Sequence, residues 1–233
     1  MAPARAGVRV RGLDGPATPV RTGPRVTLDL HVRSLTVAGR RLVHDLRLSI
    51  PPGEVHTLMG DSGSGKSTLL AVLCGTAAEA VRFDGHVGLD GTCIDELPTH
   101  QRGIAILFQD DLLFAHMTVR ENLLFAVPPG PRAQREAAVA QALRDLELAG
   151  LEHADPATLS GGQRARVALV RALLARPRAV LLDEPFGKLD AALRARMREF
   201  VFTTIRERRI PALLVTHDAQ DIADPQRVTR LAG

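Results

Sequence analysis

Apolar and polar positions alternate early in the chain and later give way to short, wholly apolar runs. Leu28-Asp29-Leu30-His31-Val32 puts every second side chain on one face, and Leu42 to Ile50 does the same, so both read as half-buried strands. Pro51-Pro52-Gly53 turns the chain into Val55-His56-Thr57-Leu58-Met59, a short buried strand. Ser67 to Leu73 reads as a helix that stops at Gly75. Between Val81 and Ile94 the pattern predicts short strand pieces, with Asp84-Gly85 as a hairpin turn. Ile104 to Phe108, Ala179 to Asp183 and Ala212 to Thr216 are continuous apolar runs, as strands covered on both faces require.

Helical texture separates these runs. From Thr118 to Leu148, Val139, Leu143 and Leu146 fall on one face with charges opposite. Arg164 to Ala175 carries Val167, Val170 and Leu174 on one side. Strands alternating with helices predict an α/β fold with a largely parallel, covered sheet. The helical stretch, about 111–175, reads as a subdomain inserted into that core. No internal repeat is present.

Composition narrows the picture. A chain of 233 residues with 45% hydrophobic content can bury a core as one domain. No apolar run approaches the roughly 18 residues that a membrane span needs, and the N-terminal arginines precede no signal-like stretch. Cys74 and Cys93 have no metal-binding spacing and read as reduced thiols of a cytosolic protein. Five arginines against Asp14 in residues 1–25 account for the whole net charge of +4. That segment reads as a disordered basic arm. The neutral remainder, 26–233, argues against a nucleic-acid-binding face.

The chemistry begins at Gly60-Asp61-Ser62-Gly63-Ser64-Gly65-Lys66-Ser67-Thr68, which fits the phosphate-binding loop pattern between a strand and a helix. Glycines there let successive N–H groups converge on phosphate oxygens, and the helix start adds unpaired donors and partial positive charge. Lys66 can neutralise the outer phosphates and the Ser67 hydroxyl can ligate Mg²⁺. Asp183-Glu184 closes an apolar strand, the arrangement that places one carboxylate beside Mg²⁺ and a second as base for the attacking water. Alone, such a pair also fits a strand ending in solvated acids; the upstream loop gives it weight. Leu159-Ser160-Gly161-Gly162-Gln163 predicts a second glycine-bearing helix N-terminus, with Ser160 as cap. One nucleotide does not need two such surfaces in one chain, whereas two head-to-tail copies do.

In order and spacing, Gly60–Thr68, Gln109, Leu159–Gln163, Asp183-Glu184, Asp190 and His217 resemble the ATP-binding subunit of ABC (ATP-binding cassette) transporters. The likeness runs from about Leu28 to Asp221. It implies a P-loop NTPase (RecA-like) core with an N-terminal antiparallel β subdomain and an inserted α-helical subdomain. It also implies ATP and Mg²⁺ as cofactors. Lys66 would hold the β- and γ-phosphates, and Ser67, Gln109 and Asp183 would surround the metal. Glu184 would be the base and His217 the γ-phosphate switch. Ser160, Gly161, Gly162 and Gln163 would meet the nucleotide of a partner subunit, and Asp190 would link the two sites of a homodimer. Integral-membrane permease subunits, and indirectly a substrate-binding protein, would be partners at the cytoplasmic face of the membrane. No nucleic acid is expected.

Leu97 to Ile104 and Leu113 to Asn122 are similar to importer subunits, and the short length is most like the thiamine-import type or an uncharacterised bacterial branch. Leu112, Leu113, Phe114 and Met117 are expected near the permease. An exporter subunit, or a soluble ABC ATPase acting on DNA or ribosomes, remains an alternative, although the coiled coil or second cassette of the soluble kind is missing. Four departures stand out. Asp61 replaces a common proline, and Gly187-Lys188 replaces Ser-Ala, adding a charge expected at the dimer seam. The chain stops before a last strand pair. The first hairpin lacks an aromatic, leaving Val37, Arg40, Arg41 or His44 to meet the adenine.

Overall fold

The computed structural model describes residues 26–231; the arm expected over residues 1–25 lies outside them. In chain order the strands and helices are β1 (Leu28–Val37), β2 (Arg40–Ile50), β3 (Val55–Met59), α1 (Lys66–Cys74), β4 (Val81–Leu89) and β5 (Thr92–Cys93). Next come β6 (Ile104–Leu107), α2 (Val119–Ala126), α3 (Arg132–Asp145) and α4 (Gly161–Leu174). The last are β7 (Ala179–Asp183), α5 (Ala191–Arg208), β8 (Ala212–Val215) and β9 (Val228–Arg230). The helical stretch predicted from Thr118 is divided: Pro128, Pro129 and Pro131 separate α2 from α3, because proline removes a donor and clashes with the preceding turn.

Two sheets form. One is antiparallel with strand order β2-β1-β4-β5, and the other runs β6-β7-β8-β3-β9 with every pairing parallel. The period of two explains why the apolar runs are continuous. Leu181 of β7 and Leu213 and Val215 of β8 face one core, which they share with Leu69, Leu70 and Leu73 of α1 and the inner face of β1. Val180, Leu182 and Leu214 face the other core, packed by Val167, Val170 and Leu173 of α4 and by Val201 and Ile205 of α5. Strand β9 pairs with β3, an element the sequence pattern did not signal.

The hairpin turn expected at Asp84-Gly85 is not a turn. Both residues lie inside β4, where Gly85 pairs with Val32 beside a register shift in β1, and a Cβ on Gly85 would sit 2.3 Å from the His31 carbonyl oxygen. The reversal comes at Asp90-Gly91, with φ of 57° and 70°, the left-handed pair that a tight β-turn takes. Pairing along all of β1 outweighs the earlier Asp-Gly signal, and glycine is needed there for backbone approach.

Candidate functional site

All parallel strands deliver their C-terminal ends to one edge, and the predicted residues follow those ends. Strand β3 runs into Gly60, β6 into Phe108-Gln109, β7 ends on Asp183 before Glu184, and β8 leads to Thr216-His217. The register pairs Leu58 with Val215 and Val215 with Asp183, so these ends lie level. Crevices outside such ends are where open α/β sheets bind ligands.

The loop Gly60–Thr68 has the backbone its sequence requires. Gly63 and Gly65 take φ of 79° and 93°, and α1 starts at Lys66. A Cβ at Gly65 would lie 2.8 Å from Leu42, so β2 closes on the loop from above. Lys66 is buried, and its ammonium donates to the carbonyls of Gly60 at 2.8 Å and Asp61 at 2.7 Å. The loop thus curls around a buried lysine ammonium. Asp61 itself is exposed.

Asp183 is buried beside this loop. Burial pushes its carboxyl above the usual carboxylate range and the neighbouring Glu184 charge adds to the rise, while a hydrogen bond from Ser67 and the charge of Lys66 act against it. A hydroxyl and a carboxylate already in contact are hard oxygen donors of the kind Mg²⁺ takes, so these residues fit that ion. Glu184, with φ of 48°, donates its N–H to the Val215 carbonyl at 2.9 Å, and its Oε1 lies 2.7 Å from His217 Nδ1. Both line a cavity of about 220 Å³ together with Gln109 and Thr216.

Residues that sequence reasoning missed hold this edge in place. Arg194 of α5 donates to both carboxylate oxygens of buried Asp221, at 2.9 and 2.6 Å, and pairs with Asp218 at 2.8 Å. Thr216 donates to Asp221 at 3.2 Å, and Asp218 N–H donates back to Thr216 at 3.1 Å. His217 therefore stands in a loop tied at both sides. The acids that follow the third apolar run were the available signal. Asn122, fully buried, ties the segment after Gln109 to α2: its side chain accepts from Phe114 N–H at 2.8 Å and donates to three carbonyls.

The remaining site residues stand apart. Ser160 caps α4 by accepting from Gln163 N–H at 3.2 Å, and the Gln163 side chain accepts from Ser160 N–H at 2.8 Å, a complete capping box. None of Ser160 to Gln163 lines the cavity beside Glu184. A Cβ on Gly162 would lie 3.5 Å from the Leu189 side chain and 3.6 Å from the Lys188 carbonyl oxygen. Asp190 caps α5 by accepting from Leu193 N–H at 3.0 Å. Lys188, expected to bring a charge to a dimer seam, has a partner within the chain: its ammonium lies 3.2 Å from Asp111. At the first hairpin Arg40, Arg41 and His44 are exposed and Val37 is half-buried.

A phosphate loop, a buried carboxylate beside it and a separate glycine-bearing helix start in one chain are the ordered parts of one family. A family model described as ABC transporter matches residues 43–187. The chain belongs to the ABC transporter family. It is an ATP-binding, ATP-hydrolysing subunit of the kind that powers a transporter. An uncharacterized ABC transporter ATP-binding protein, YnjD of Escherichia coli K12, is 49% identical over 200 residues, 85% of this chain and 92% of that protein. The sulfate/thiosulfate import ATP-binding protein CysA of Salmonella typhi is 39% identical over 190 residues, and that of Nocardia farcinica 42% over 182. These cover 79% and 77% of this chain but only 51% and 54% of the relatives, so the chain spans about half the length of the CysA proteins. Among the described residues no helix is long and apolar enough to cross a membrane, and ABC ATP-binding subunits of importers work with membrane permeases.

Proposed function

We propose that the protein drives a binding-protein-dependent importer as a homodimer, with each ATP held between the phosphate loop of one copy and the Ser160–Gln163 segment of the other. The observation that carries this reading is the separation within one chain. Lys66, Ser67, Asp183, Glu184 and His217 gather at one sheet edge, while none of Ser160 to Gln163 lines the cavity bordered by Glu184 and His217.

In this reading the loop N–H groups and the α1 start orient the phosphates, and Lys66 exchanges its carbonyl partners for phosphate oxygens. Ser67, Gln109 and Asp183 would hold Mg²⁺, which would supply positive charge to the phosphates. Glu184 accepts the proton of the attacking water. His217, hydrogen-bonded to Glu184, orients that carboxylate and reaches toward the γ-phosphate. Gly161 and Gly162 of the second copy add N–H donors and the positive end of α4. Within one copy Leu189 lies near Gly162, which supports a linking role for the neighbouring Asp190.

The permease docks, in this proposal, on the helical side at the cytoplasmic face of the membrane. Leu112 and Phe125 are the exposed large hydrophobic residues among those described, at 57% and 66% exposure. Phe114, from the expected docking stretch, is half-buried beneath the Arg171 guanidinium, 5.2 Å from its ring centre. Phe125, which the sequence reading passed over, takes its place on the surface. Cargo belongs to the permease and binding protein; the CysA names point to oxyanions such as sulfate, and the thiamine-type likeness offers a second cargo class.

Glu184→Gln tests the proposal. It keeps the shape and hydrogen bonding of the side chain but removes the base, so hydrolysis should fall by about 10²–10⁴. ATP should then hold the variant as a dimer. Sizing chromatography with light scattering at saturating MgATP should give twice the chain mass; a monomer under those conditions overturns the sandwich.

A further inference from the structure

The outer face of the antiparallel sheet carries a cluster that the ATP site does not use. His86 on β4, Cys93 on β5 and Asp95 just beyond it offer a nitrogen, a sulfur and a carboxylate oxygen, all within 4.8 Å of one another. Register explains the meeting. Gly88 pairs with Cys93 and Leu89 with Thr92, and the ladder continues as Ile94 N–H donates to the Val87 carbonyl at 3.0 Å. Asp95 therefore falls opposite His86, and Cys93, two residues from Asp95, shares its face. Gly88 leaves the space between them open: a Cβ there would lie 3.5 Å from His86 Nε2.

The three groups already converge on one atom. Asp95 Oδ2 lies 3.1 Å from His86 Nδ1 and 3.2 Å from Cys93 Sγ. Its other oxygen accepts Val87 N–H at 2.6 Å, which fixes the direction of the carboxylate. The geometry points to a divalent metal site at His86, Cys93 and Asp95, suited to Zn²⁺. Tetrahedral zinc with bonds of 2.0–2.3 Å sets ligands roughly 3.3–3.6 Å apart, within a small side-chain movement of the separations observed. A nitrogen–sulfur–oxygen set suits zinc and not Mg²⁺, which takes oxygen donors, so the site is distinct in chemistry from that of Ser67 and Asp183.

The site is open to solvent, with the His86 and Asp95 side chains 51% and 26% exposed. Three protein ligands leave a fourth position for water or for His31. That residue pairs with His86 across β1 and β4 and so stands on the same face. On binding, Cys93 gives its thiol proton to solvent and coordinates as the thiolate, His86 coordinates through Nδ1 as the neutral tautomer protonated at Nε2, and Asp95 Oδ2 exchanges its two hydrogen bonds for one metal bond. Cys74 is buried in the core and stands outside this cluster.

Cobalt titration of the nucleotide-free full chain tests the site, because a thiolate–cobalt charge-transfer band in the near ultraviolet reports sulfur ligation and is silent for an oxygen-ligated ion at the phosphate loop. The band should saturate at one cobalt per chain and disappear when Zn²⁺ is added. Cys93→Ser, a change at an exposed position, should abolish it, and His86→Ala should weaken cobalt binding by at least about tenfold. Absence of the band overturns the site, as does a band that survives Cys93→Ser or is unchanged in His86→Ala.

Discussion

Glu184 holds a backbone conformation that costs a non-glycine residue about 1–3 kcal/mol, and it does so at the junction of β7 and the loop that leads to α5. Pairing with Val215 and His217 keeps it there. The loop of His217 depends in turn on Arg194, whose guanidinium binds Asp218 and an Asp221 carboxylate that is 1% exposed. Arg194→Met removes this charge and leaves Asp221 buried without its main partner. It should destabilise the fold by about 3–5 kcal/mol, read as a lowered thermal midpoint. ATP turnover should fall through kcat more than through KM, because Arg194 positions His217 and does not itself line the phosphate loop. Arg194→Lys should restore part of both. A variant with normal stability and a raised KM alone would contradict this role.

At the scale of elements, the sequence spoke clearly wherever a local rule coincided with a long-range need. Gly60 to Thr68 needed left-handed glycines between a strand and a helix, and Gly63 and Gly65 have them. Ser160 and Gln163 spelled a capping box and form one. Asp84-Gly85 misled because its local preference for a turn was overridden by the pairing of β4 along β1, a contact between residues about fifty apart. For Arg194–Asp221 only the acids after the third apolar run were visible: nothing local marks an arginine in a helix as the partner of an acid beyond the next strand. Strand β9, three residues long, is defined by its pairing with β3 and not by its own pattern.

That pairing has a titratable contact. His56 of β3 meets Thr229 of β9 at 2.9 Å through Nε2, and burial, with the charge of Arg227, holds the His56 ring below the usual histidine range. The unfolded chain therefore takes up a proton more readily than the folded one. The contribution of neutral His56 is fully present above about pH 6.5 and is lost as the pH falls toward the lowered folded value. Thermal midpoints should drop between neutral and mildly acidic pH, and His56→Gln should flatten that drop. An unchanged slope in the variant would remove His56 from the account.

For the whole molecule, the two cores sit on opposite faces of one parallel sheet, and the edge between them carries the groups proposed as catalytic. The α4 start is held on the same chain but outside the cavity beside Glu184. The central claim is that an active site takes one part from each copy, and complementation between two inactive variants tests it most directly. Lys66→Ala disables the phosphate loop, and Ser160→Arg blocks the α4 start with a bulky cation. Each variant alone should hydrolyse no ATP, since every site in its dimer lacks one part. Mixing the purified variants should restore ATP hydrolysis, because half of the sites in a mixed dimer join an intact loop to an intact α4 start. A mixture that forms dimers and stays as inactive as its components would contradict the shared site.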